Sequence, residues 1–133
     1  MTRLHRFGDL QLAILRVLWT RGEATAAEVQ QDLAGDRDLA LSTISTMLKR
    51  LGEQDVVAHR AEGRQFIYRA KVGEQQVRAS MVRDLVSRLF RGDSAALVSH
   101  LVDVGEVDTR ELEDLRERVR KVRSPRGGRH ENE

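Results

Sequence analysis

The sequence predicts a mainly α chain: three short helices closed by a β-hairpin, then longer helices of a different character. Three observations predict it. Apolar residues recur at helical spacing along most of the chain, at i, i+3, i+4 and i+7. Two short runs rich in β-branched and aromatic residues flank Glu62-Gly63. The single proline, Pro125, lies near the end, so nothing upstream is forced to break.

The elements follow in order. Met1–Phe7 is a short basic arm with Arg3 and Arg6. Leu10, Ala13, Ile14, Val17 and Leu18 then keep helical spacing, Leu15 and Trp19 widen the buried face, and Gly22 is a C-terminal stop. Trp19 reads as a core or interface anchor. Thr25-Ala26-Ala27-Glu28 is a capping box that opens a short helix with Ala26, Val29 and Leu33 inward, ended by Gly35. Asp36–Leu41 is a connector. Ser42 is read as the cap of a third helix running to about Gln54.

That third helix splits into two faces. Ile44, Met47, Leu48 and Leu51 form one apolar stripe. Thr43, Ser45, Thr46, Lys49 and Arg50 lie off it, with no carboxylate before Glu53. A solvated helix face usually mixes Glu with Lys. This one offers short hydroxyls and two cations, a composition suited to base edges and phosphates in a DNA major groove. The plainer reading is a surface helix that happens to be rich in Ser and Thr.

Val56–Arg60 reads as a strand, Glu62-Gly63 as a turn and Gln65–Arg69 as the returning strand. A hairpin directly after such a helix is a wing, and Arg60 and Arg64 are placed near its tip. The N-terminal half, residues 1–71, is thus a winged helix-turn-helix: three helices plus a hairpin wing.

From Gly73 the character changes. Val77, Met81, Leu85 and Leu89 recur at i+4 beside Val82, Val86 and Phe90, until Gly92-Asp93-Ser94 breaks the helix. Leu97, Val98, Leu101 and Val102 mark another helix. Asp108–Glu111 starts a last one, where Leu112, Leu115, Val119 and Val122 follow a heptad-like 3, 4, 3 spacing. These stripes carry little bulk. Residues 72–123 are therefore expected to be a helical dimerisation domain, with Leu85, Leu89, Leu97, Leu101, Leu112, Leu115 and Val119 burying against a second copy. The alternative is that they fold back onto the first domain. Residues 124–133, rich in Gly and charge without apolar anchors, are expected to be disordered.

Composition excludes several classes. Net charge is only +2, so any nucleic-acid site must come from local segregation of charge. Aromatics at 4% argue against single-strand binding by base stacking. With no cysteine, thiolate metal sites, disulfides and Cys nucleophiles are out. His5, His59, His100 and His130 are scattered, with no ligand spacing among them, so no metal or other cofactor is expected. Acidic clusters such as Glu111–Asp114 sit on the heptad helix, where a solvated face is the better reading. No phosphate-cradling Gly loop and no nucleophile motif is present, and the enzyme class is set aside. Lacking a leader-like or membrane-spanning apolar run, the protein is expected to be cytoplasmic, with no membrane partner.

The same residues resemble the penicillinase-repressor (BlaI/MecI) family of bacterial winged-helix transcription regulators. The matching pieces are Gly8-Asp9-Leu10 leading to Val17-Leu18-Trp19, then Glu23-Ala24-Thr25 with Glu28-Val29, Ser42–Leu51, and the hairpin ending Phe66-Ile67-Tyr68. Beyond the hairpin come Leu85-Val86, Leu89-Phe90, Ala96-Leu97-Val98 and Glu111–Arg116. The resemblance spans residues of about 7–120 in the family's order.

It implies a homodimeric repressor reading a palindromic operator in double-stranded DNA, and the family name implies control of β-lactamase or related stress genes. Carried over by position, the DNA contacts are Ser42, Thr43, Ser45, Thr46 and Arg50, with Arg60 on the wing. Lys49 and Arg64 are added from their own chemistry. Three departures stand out. Asp55 occupies a turn position where members commonly have glycine. Antibiotic-responsive members are inactivated by cleavage of an Asn-Phe bond by a regulatory protease; the nearest position here is His100-Leu101, which does not match that pair. Copper-responsive relatives use a cysteine cluster that this chain lacks. A winged helix can also serve as a protein-interaction adaptor, and that is the competing reading.

Overall fold

The computed structural model describes the backbone of residues 7–131 and the side chains of residues 7–122. The basic arm with Arg3, His5 and Arg6 lies outside the described residues. The order is α1 (Asp9–Arg21), α2 (Ala26–Leu33), α3 (Leu41–Glu53), β1 (Val57–Glu62), β2 (Gln65–Ala70), α4 (Glu74–Phe90), α5 (Ser94–Asp103) and α6 (Thr109–Glu131). Two compact units divide the chain, the first reaching to Leu85 and the second starting at Val86.

The first unit is built on the apolar stripes of its helices. Ile14, Leu15 and Leu18 of α1, Val29 of α2, and Ile44, Leu48 and Leu51 of α3 are buried in one core with Val56 and Val57. Burying each such side chain contributes about 1.5–3 kcal/mol. Gly22 ends α1 at φ 88, a conformation that disfavours other residues. The Thr25 hydroxyl accepts from the Glu28 amide at 3.1 Å, while the Glu28 carboxylate accepts from the Thr25 amide at 2.9 Å. The expected capping box is therefore present. Arg21 spans α1 and α2 with a two-nitrogen contact on Asp32, at 2.7 and 3.0 Å.

Four details differ from the sequence reading. The N-cap of α3 is Ala40, not Ser42, and no side chain caps that end. Ser42 sits inside the first turn, because Ala40 is the last residue in extended conformation (φ −67, ψ 149). The hairpin runs Val57–Glu62 and Gln65–Ala70, pairing Glu62 with Gln65, so its tip is Gly63-Arg64. Gly63, at φ 63, supplies the positive φ that a two-residue hairpin loop demands. Arg60 therefore stands on the strand opposite Ile67, back from the tip. A third strand-like pairing also exists: Ala24 exchanges two backbone hydrogen bonds with Tyr68, at 2.9 and 2.8 Å.

The first compact unit extends into α4, as far as Leu85. Val77 is 2% exposed in the first unit's core, Met81 packs against that core, and the Trp19 indole donates to the Val72 carbonyl at 2.9 Å. The start of α4 thus completes the winged-helix core.

In the second unit, Asp93 caps α5 by accepting from the Ala96 amide at 3.1 Å. Asp108 and Glu111 form a reciprocal cap at the start of α6, at 2.8 and 3.0 Å. Arg91 and Gly92 turn the chain at φ 52 and φ 84. Helical backbone continues to Glu131, so residues 124–131 of the segment expected to be disordered are helical, and the last two lie outside the described residues. No helix among the described residues is long and apolar enough to cross a membrane.

Candidate nucleic-acid interface

The amphipathic split of α3 positions the candidate site. Ile44, Leu48 and Leu51 hold one side of the helix in the core at 0% exposure. The opposite side is thereby fixed outward. Ser42, Thr43, Thr46, Lys49 and Arg50 are exposed, and Ser45 is half-buried on the flank. Because Ala40 occupies the cap position, the Ser42 hydroxyl is not engaged in capping. Among the described residues, Lys49 and Arg50 have no ion-pair partner. An exposed helix face with short hydroxyls and two unneutralised cations can enter a groove and pair with phosphates.

The wing adds to this face unevenly. Arg64 stands at the hairpin tip, exposed and without an acidic partner among the described residues. Arg60 is different. Its guanidinium bonds Glu23 at 3.0 Å and lies 3.4 Å from Glu62. Both contacts use one nitrogen, Nη2. Nη1 and Nε keep donors for a phosphate, but the two carboxylates beside Nη2 offset the charge that would attract one.

Asp55 joins α3 to the hairpin at φ 64, a conformation that asparagine, aspartate and glycine tolerate best. Its carboxylate pairs with Lys71, which holds it below the usual carboxylate range through a hydrogen bond and charge attraction. The departure from glycine at this position is therefore accommodated by both backbone and side chain.

Between α3 and the hairpin lies a cleft of about 860 Å³, lined among others by Ser45, Lys49, Glu53, His59, Phe66 and Tyr68. Strand register explains its far wall. His59 lies opposite Tyr68 and Ala61 opposite Phe66, so the three rings share one face. His59 and Phe66 have centroids 4.5 Å apart, and His59 and Tyr68 5.7 Å. Burial raises the Tyr68 hydroxyl pKa. Phe66 remains 49% exposed. His59 was not singled out from the sequence; the only signal there was its place one residue before Arg60, on the opposite strand face.

The apolar residues expected at a dimer interface are only partly brought together. Leu112, Leu115 and Val119 share a groove with Val98 in the second unit. Leu97, Leu101 and Leu112 are half-buried, whereas Leu89 is 71% exposed. Leu85 is also exposed and falls in the first unit. His100 is exposed on α5, its ring 5.9 Å from Phe90, and Leu101 beside it is half-buried. Among the described residues, no cluster of His, Asp and Glu has the arrangement to hold a metal ion.

The family model described as penicillinase repressor matches residues 7–121. The chain belongs to the penicillinase-repressor family. Its match to the transcriptional regulator BlaI of Mycobacterium tuberculosis is 30% identical, over 97% of this chain and 94% of that protein. The penicillinase repressor of Bacillus licheniformis is 24% identical over 86% of this chain and 90% of its own length. The solved DNA-binding domain of the repressor BlaI superposes with a TM-score of 0.50 at 29% identity, over 57% of this chain and 93% of that domain. As a penicillinase-repressor family member, the chain has the winged-helix fold, and its relatives are named as transcriptional regulators and repressors.

Proposed function

We propose that this protein is a sequence-specific transcriptional repressor that binds a palindromic operator as a homodimer. The observation that carries the reading is the outward face of α3, with exposed Ser42, Thr43, Thr46, Lys49 and Arg50 and, among the described residues, no acidic partner on either cation. Ser45 joins them from the flank, and Arg64 supplies the phosphate contact at the wing tip. Arg60 contributes through its remaining nitrogens, weakened by Glu23 and Glu62 beside Nη2. In the major groove, the hydroxyls read base edges while the cations fix register on the backbone.

The homodimer is supported by the apolar side chains left exposed on the C-terminal helices, among them Leu89, Leu115 and Val119. A heptad-like seam presents such residues to a second helix. Two reading heads on one dimer make the second half-site contact effectively intramolecular and raise affinity. The bound dimer blocks polymerase sterically. Proteolysis at or near His100-Leu101 is one route to release, and β-lactamase or related stress genes are the targets the family name suggests.

Selection of bound duplexes from a randomised pool, at moderate and raised salt, tests this reading. The expected product is a palindrome with half-sites about one helical turn apart, or a multiple of it. Unpatterned DNA lost at modest salt would instead favour a protein-interaction adaptor.

A further inference from the structure

A helix in the major groove and a hairpin reaching the neighbouring minor groove must straddle the sugar–phosphate strand that separates the two grooves. In this fold the space between those elements is the cleft of about 860 Å³ between α3 and the hairpin. Resting on the DNA-binding reading above, we propose that this cleft seats that strand and that His59 donates to one of its phosphates, making operator binding proton-linked.

Several observations carry the assignment. Among the described residues, neither ring nitrogen of His59 has a hydrogen-bond partner. The side chain is exposed, yet its ring is backed by Phe66 at 4.5 Å and Tyr68 at 5.7 Å. Backing of this kind restricts the ring without occupying its donors. The exposed Phe66 gives the wall an apolar surface on which a deoxyribose can pack. Ser45 and Lys49, one helical turn apart on α3, form the facing wall and supply a hydroxyl and an ammonium. Arg60 lies on the other face of β1, occupied by Glu23 and Glu62. Of the two neighbouring wing residues, His59 is therefore the one aimed at the cleft.

The charged groups around His59 are few. Lys49 and Glu53 of α3, Asp55 of the connector and Lys71 at the end of the hairpin line the same cleft. Asp55 is paired with Lys71, which keeps it ionised at ordinary pH. Glu53 lies one turn beyond Lys49, toward the end of α3. Histidine is the side chain that changes charge between pH 5 and 8, and the cationic ring is the form that pairs with a phosphate.

The test is the affinity of the full chain for its selected duplex between pH 8 and pH 5.5 at fixed ionic strength. The expected result is tightening by about tenfold per protomer, the change that one unit of preference for the protonated form gives. His59→Gln should lose most of that rise. Its salt slope at pH 5.5 should fall below the parent's by about 0.9 per protomer, one phosphate contact. His100→Gln and Glu53→Gln should both keep the rise. A flat profile for the parent chain, or a His59→Gln variant that tightens as the parent does, would overturn the assignment. Failure to bind any duplex at any pH would instead remove the repressor reading itself.

Discussion

Arg60 on the wing and Glu23 in the connector between the first two helices are joined by a 3.0 Å hydrogen-bonded ion pair across 37 residues of sequence. One register step away, Tyr68 of β2, the partner of His59, exchanges two backbone hydrogen bonds with Ala24. The wing is therefore tied to the base of α2 by a main-chain bridge and a side-chain bridge together. Glu23 also holds negative charge beside the one wing cation that family resemblance assigns to DNA. Glu23→Gln should raise operator affinity a few-fold, because Arg60 is then freer to pair with phosphate. The pair is half exposed, so stability should change by no more than about 1 kcal/mol. Mobility-shift titration and thermal melting check the two halves of this expectation.

At the reading head, Thr46→Ala and Arg64→Ala should fail in different ways. Thr46 lies on the exposed face of α3, where a hydroxyl reaches a base edge. Its loss should cost about 1–3 kcal/mol and relax preference at one operator position. Arg64 stands at the wing tip, and its loss should weaken all sequences alike and flatten the salt slope by about 0.9 per protomer. Selection experiments on both variants separate base reading from backbone contact; an unchanged preference for Thr46→Ala removes it from the base-reading set.

Two carboxylates link stability to acid. Asp32 is lowered by its hydrogen bond from Arg21, and Asp55 by Lys71. A carboxyl group whose pKa is lower folded than unfolded stabilises the fold above its unfolded value. That contribution is lost as pH falls through the folded value. Melting temperature should therefore drop as pH falls below the usual carboxylate range. Asp32→Asn and Asp55→Asn should each make the drop shallower, as read by melting curves from pH 7 down to pH 2.

The sequence was most informative where one local pattern decides the outcome. The α3 stripe of Ile44, Leu48 and Leu51, the Thr25–Glu28 box and the glycine stop at Gly22 could all be read directly, because each needs only neighbours within a turn or two. What was missed depends on distant partners. The Ala24–Tyr68 bridge is a single residue pair with no periodicity to announce it. Val77 carries an ordinary helical pattern, which cannot say that it packs into the core beside Trp19 rather than with the C-terminal helices. Ser42 is a good capping residue, but the helix begins two residues earlier than capping preference suggests. Hairpin register decides that His59 faces α3 and Arg60 faces Glu23, and a one-residue shift would exchange them.

Leu115→Asp probes the dimer seam without touching α3. A charge placed in an apolar helix interface should shift the chain to monomer, measured by analytical ultracentrifugation. Operator affinity should then fall while binding to a single half-site persists.

The most direct measurement compares the selected palindrome with the same duplex carrying about five extra base pairs between its half-sites, half a helical turn. The insertion leaves every base and phosphate contact available but moves the second half-site to the opposite face of the DNA. A dimer with two reading heads predicts two chains per duplex on the palindrome and at least about a tenfold loss of affinity on the inserted duplex. Equal affinity for both duplexes, with each half-site filled independently, would contradict it.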